Sequence, residues 1–163
     1  MPNGPAFGPG GTTMYLADSA LGTVYAHRVD PATGTLSDRR VFFRLAPGTG
    51  SPDGMTVDDE GRVWSALWGA GEIRCHAPDG TLLLTLAVPA SQPTSVCLTG
   101  SELLVTTARY GMEAPGPRPA GRCGAVGPLP DHRAGGGRRT VMRRGPFRES
   151  GGAALKFINN GHR

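Results

Sequence analysis

The sequence predicts an all-β protein: a partial β-propeller of about two and a half blades over residues 1–111, followed by a disordered Arg/Gly/Pro-rich tail over residues 112–163. Three observations predict it. Short apolar or alternating segments follow one another between turn residues, a unit of about 40 to 50 residues recurs, and composition and charge change abruptly near Gly111.

Strands are expected at residues 12–19, 22–30, 38–45, 54–59, 62–68, 71–77, 81–88, 94–100 and 102–110. Each is rich in Val, Leu, Thr, Tyr or Trp and is bounded by Gly, Pro, Asp or Ser, as strands between tight turns are. No stretch shows the 3.6-residue periodicity of an amphipathic helix. With 26 Gly and 15 Pro in 163 residues, turns and short strands are favoured over long helices.

The repeat selects a propeller from the all-β architectures. Laying MYLADSALGTVYAHRVD over VWSALWGAGEIRCHAPD, 49 residues on, matches Tyr15 with Trp64, Gly22 with Gly71, Val24 with Ile73, His27 with His76 and Asp30 with Asp79. A further shift of 41 sets Trp64 on Val105 and Ser65 on Thr106. A partial ring of this kind leaves sheet faces and strand edges uncovered, so poor stability or self-association is expected.

The net charge of +4 is unevenly distributed: residues 1–111 hold 7 Arg against 10 acids, and residues 112–163 hold 10 basic residues against 3 acids. The basic character therefore belongs to the tail, in which no strand is expected and only a brief apolar run near residues 153–158 stands out. Lys156 is the sole Lys, and Arg/Gly/Pro-rich text of this kind is what an out-of-frame reading of a GC-rich coding sequence yields. The tail's Arg residues lack interleaved aromatics apart from Phe147, so no nucleic-acid partner is expected. Cys75, Cys97 and Cys123 form no CxxC and indicate neither a disulfide framework nor a zinc cluster. Without a signal peptide or membrane-length apolar run, a reduced cytoplasmic protein with no membrane partner is expected.

At one position of the repeat, Pro and a polar residue open an apolar stretch: Pro2-Asn3-Gly4, Pro52-Asp53-Gly54 and Pro93-Thr94-Ser95. If these are the entrances of the innermost strands of successive blades, Asn3, Asp53 and Thr94 converge on one axis. Asp53 offers a carboxylate and Asn3 an amide carbonyl, oxygen donors suited to a hard divalent cation. Such a cation polarises a carbonyl and stabilises its oxyanion, and Asp53 is also placed to act as a general base. Each triplet alone is also an ordinary turn; recurrence at one register raises the metal-site reading.

Other candidates carry less. His27 and His76 sit at matching positions and are expected to be solvent-facing. Tyr15, Phe42, Trp64 and Trp68 are expected in the core. Ser19, in ADSA, has no GxSxG elbow and no His or Asp arrangement, so a nucleophile is not expected there. Asp58, Asp59 and Glu60 read as a solvated hairpin turn.

Taken in order, NGPAF, the segment from Met14 to Leu45, SPDGMTVDDEGRVWSALWGAGEI, QPTSVCLTG and LLVTTARYG resemble the later blades of the senescence marker protein / gluconolactonase / regucalcin-like family, over about residues 2–111. The resemblance implies a six-bladed propeller with a divalent cation, calcium or zinc, on its axis, hydrolysing sugar lactones to aldonic acids. It implies that Asn3 and Asp53 are metal ligands, with Asp53 also the general base. The family's third ligand, a Glu, and its substrate-holding Arg and Asn belong to earlier blades, so an impaired hydrolase lacking part of its ring is expected, with a small-molecule lactone as substrate. A propeller that binds a small molecule or protein without catalysis is the competing reading.

Overall fold

The computed structural model describes residues 1–99, 102–111 and 155–159. Its strands are β1 (Pro2–Phe7), β2 (Thr13–Asp18), β3 (Thr23–Val29), β4 (Leu36–Arg44), β5 (Ser51–Val57), β6 (Val63–Trp68), β7 (Glu72–His76), β8 (Leu82–Ala87), β9 (Pro93–Thr99), β10 (Glu102–Thr107) and β11 (Leu155–Asn159). They form a four-stranded sheet β1-β2-β3-β4, a four-stranded sheet β5-β6-β7-β8 and a three-stranded sheet β9-β10-β11.

Within the first two sheets each strand pairs antiparallel with the next, as short hairpin connections require. Asp residues close the turns. Asp30 and Asp79, matched by the repeat, each accept a 2.9 Å hydrogen bond from the backbone N–H two residues on, Ala32 and Thr81 respectively.

The second sheet is covered on both faces, and its sequence shows why. In β6 every residue from Val63 to Leu67 is buried. Val63 and Leu67 join Met55 in a core shared with Tyr15, Ala17, Val24, Ala26 and Phe43 of the first sheet. Trp64 and Ala66 point the other way, into a core with Val96, Leu103 and Val105 of the third. Each such Leu, Val or Ile contributes about 1.5–3 kcal/mol when fully buried. The first strands of the sheets lie side by side, β5 packing between β1 and β9.

The structure corrects four expectations. Met55 pairs with Ser65 and Val96 with Val105, so the counterpart of Ser65 is Val105 and that of Trp64 is Leu104. The hairpin joining β9 to β10 is one residue shorter, which moves the repeat register by one. His76 is buried, not solvent-facing: it pairs with Val63, shares that residue's face, and stacks on Phe43 with ring centroids 4.0 Å apart. His27 stands opposite Met14 at the equivalent register of the first sheet and is half-buried.

Asp58 closes the expected turn, but its carboxylate is not solvated. It accepts from Arg62 Nε at 2.6 Å and Trp64 Nε1 at 2.9 Å, and from the backbone N–H of Glu60 and Arg62. Finally, the stretch expected to lack strands contains β11, which pairs parallel with β10 from Leu103 to Thr107. It takes the place beside β10 that β3 and β7 take in the other sheets. Its direction is the reverse of theirs, which a long connection permits and a tight hairpin does not. The remaining expectations for 112–163 lie outside the described residues.

Cys75, buried, and Cys97, exposed, are free thiols. No helix among the described residues is long and apolar enough to cross a membrane.

Candidate functional site

One irregularity recurs at the start of all three sheets. On β1, Asn3 opposes Ala17 while Ala6 opposes Tyr15; on β5, Pro52 opposes Leu67 while Met55 opposes Ser65; on β9, Pro93 opposes Thr107 while Ser95 opposes Thr106. Each of these strands thus carries one extra residue, a bulge, at Gly4-Pro5, Asp53-Gly54 and Thr94. Bulges re-aim side chains out of the pleat; Asp53 and Thr94 lie within theirs, and Asn3, paired with Ala17, immediately precedes its own.

Asn3 and Asp53 are brought together. Both are half-buried, and the Asn3 side-chain amide and the Gly54 N–H lie near enough to the Asp53 carboxylate to act on its titration. Asn3 Oδ1 accepts from the Gly4 N–H at 3.2 Å, which leaves its amide N–H groups for the carboxylate. Burial raises the Asp53 pKa above the ordinary carboxylate value, and the nearby Gly54 N–H and Asn3 amide hold it down only in part.

Thr94 stands at the third bulge, yet its hydroxyl is committed within its own sheet, 2.7 Å from Thr106 Oγ1.

Glycine after Asn3 and after Asp53 lets neighbouring strands approach. A Cβ on Gly54 would lie 2.6 Å from Ser95 Cβ and 2.8 Å from Ser95 Cα, so only glycine lets β5 and β9 come this close. Gly4 has φ +86°, and a Cβ there would sit 3.0 Å from Met55 Cε.

The donor chemistry suits a hard divalent cation: two oxygens, one of them anionic, on adjacent strands. Among the described residues no group of three or more His, Cys, Asp or Glu gathers, so this pair supplies two oxygens of the six to eight a calcium ion takes.

Sequence reasoning missed Ser19, which is buried and donates from Oγ to the Pro52 carbonyl at 2.7 Å. Its partner lies 33 residues on, and no local pattern signals such a contact.

Comparison with known proteins identifies the family. The family model described as SMP-30/Gluconolactonase/LRE-like region matches residues 1–109. An L-arabinolactonase of Azospirillum brasilense is 37% identical over 111 residues, covering 68% of this chain and 37% of the relative. Among solved structures, a calcium-binding protein, regucalcin, from Agrobacterium tumefaciens aligns with a TM-score of 0.65 at 32% identity, covering 69% of this chain and 40% of that one. A gluconolactonase of Xanthomonas campestris aligns with a TM-score of 0.53 at 29% identity, covering 65% and 34%. The chain spans well under half the length of the relatives it matches. The sheets, the order of the matched segments and the family match over most of the chain agree: this chain belongs to the SMP-30/gluconolactonase/LRE-like family.

Proposed function

We propose that the three sheets are consecutive blades of a propeller and that Asn3 and Asp53 form part of a metal-dependent sugar-lactone hydrolase site. The observation that carries this reading is the packing of β1 against β5, which sets the Asn3 amide beside the half-buried Asp53 carboxylate. Two lactone-hydrolysing relatives, one an arabinolactonase and one a gluconolactonase, support the substrate class.

Hydrolysis of a lactone needs a proton taken from water and later returned. Asp53 does both: its carboxylate accepts the proton as the water oxygen bonds to the carbonyl carbon, then returns it to the ring oxygen as the ring C–O bond breaks, leaving the hydroxy acid. Its raised pKa brings it nearer neutrality, where a general base works best. Asn3 fixes the carboxylate's orientation through its amide. Asn3 and Asp53 are the residues that would hold a divalent cation, and a cation bound there supplies positive charge against the lactone carbonyl oxygen. Oxygen-only donors favour calcium over zinc. Two protein donors leave most of a cation's shell open, so the chain taken alone is impaired as a hydrolase.

A chimera tests this reading. Residues 1–109 replace the matched stretch of the Azospirillum brasilense arabinolactonase, and acid release from a sugar lactone is followed with a pH indicator. The chimera is expected to turn over, and Asp53→Asn to slow it by at least about 100-fold, the scale of a lost general base. A folded chimera whose rate ignores Asp53→Asn contradicts the proposal.

A further inference from the structure

β1 and β5 belong to different sheets, so no ladder of backbone hydrogen bonds sets the height of Asn3 against Asp53. One residue ties the two strand entrances. The Ser19 N–H donates to the Met1 carbonyl at 3.0 Å, two residues before Asn3. The Ser19 Oγ donates to the Pro52 carbonyl at 2.7 Å, one residue before Asp53.

Ser19 is itself held. Asp18 accepts from the N–H groups of Ala20 and Leu21 at 3.1 and 3.2 Å, and the Gly22 N–H returns to the Ser19 carbonyl at 3.3 Å, closing a tight turn around it. Ser19 is 9% exposed and Pro52 is fully buried, so water is poorly placed to replace this bond.

We infer that Ser19 is the positioning residue of the site, a strut from the turn after β2 that holds the starts of β1 and β5 at the spacing the Asn3–Asp53 contact needs. The inference rests on reading that pair as the site. Hydrogen bonds weaken steeply beyond about 3.5 Å or with misalignment, so a small slip of β5 against β1 opens the pair without unfolding either sheet. Ser19 touches no substrate; it acts through backbone.

The test uses the full 163-residue chain, 15N-labelled, in cation-free buffer. Ser19→Ala is expected to move the Asn3 side-chain amide resonances and the backbone amides of Asp53 and Gly54, leaving those of β7 and β8 in place. Ser19→Thr, which keeps the hydroxyl, is expected to restore them. Unchanged Asn3 and Asp53 signals in folded Ser19→Ala, or failure of Ser19→Thr to restore them, overturns the strut. If Ser19→Ala does not fold, Ser19→Cys takes its place, with the same shifts expected and unchanged signals again overturning it. Shifts that follow Ser19 in a chain that binds no calcium support the strut and count against the lactonase reading instead.

Discussion

Asn3 and Asp53 stand fifty residues apart in the chain, and the amide of one lies beside the carboxylate of the other where β1 and β5 begin. The pair presents charge and oxygen in a half-buried place yet fills little of a cation's shell. Calcium is therefore expected to bind the full chain only in the millimolar range, the weak end for oxygen-donor sites. Calorimetric titration checks this: Asp53→Ala should change so weak an isotherm little. Tight binding abolished by Asp53→Ala would mean that this chain alone completes the site.

Gly54 is the hinge between site and fold, because its missing Cβ is what Ser95 occupies. Gly54→Ala is expected to cost about 1–3 kcal/mol, as overpacking of a tight contact does, read as a lowered urea midpoint. Ser95→Gly should restore only part of the loss, since the added Cβ would still lie 2.8 Å from the Cα of residue 95.

Much of this was legible in the sequence because it depends on neighbours in the chain. Strand alternation placed β2 to β10, and Pro-polar triplets at one register marked Asn3 and Asp53 as side chains that could meet. What depends on a distant sheet was not legible. His76 matches His27 in the repeat, yet only His76 has Phe43 stacked against it. Asp58 looked like any turn aspartate until Trp64 turned its indole N–H back on it. Thr94 has the position of a site residue but spends its hydroxyl on Thr106. The bulge that holds Asp53 and Thr94 and follows Asn3 shows only in the pairing.

The Asp58 carboxylate joins the β5–β6 turn to the core through Arg62 and Trp64. Burial pushes its pKa up, but the hydrogen bonds from Trp64 and Arg62 outweigh that and leave it below the ordinary value. Asp58→Ala strands the Trp64 indole N–H and leaves the Arg62 guanidinium to Glu60, 2.9 Å away, with an expected loss of about 1–3 kcal/mol. Trp64 emission should report the change as a shift to longer wavelength before global unfolding, whereas an unchanged urea midpoint contradicts this role.

His76 makes the fold acid-sensitive. Its ring lies 8° from parallel to Phe43, with Nδ1 buried and unpartnered, and desolvation, aided by the Arg74 charge, lowers its pKa to about 4. The unfolded chain protonates this imidazole near the ordinary 6.5. Between those values the unfolded state binds the extra proton, so stability is complete above about pH 6.5 and falls as pH drops toward 4. The two pKa values set the loss at on the order of 3 kcal/mol. His76→Phe removes the titrating group and keeps a ring against Phe43, so its urea midpoint should fall less than the wild type's between pH 7 and pH 4.5. Parallel pH profiles for the two proteins would show that the buried imidazole does not titrate with unfolding.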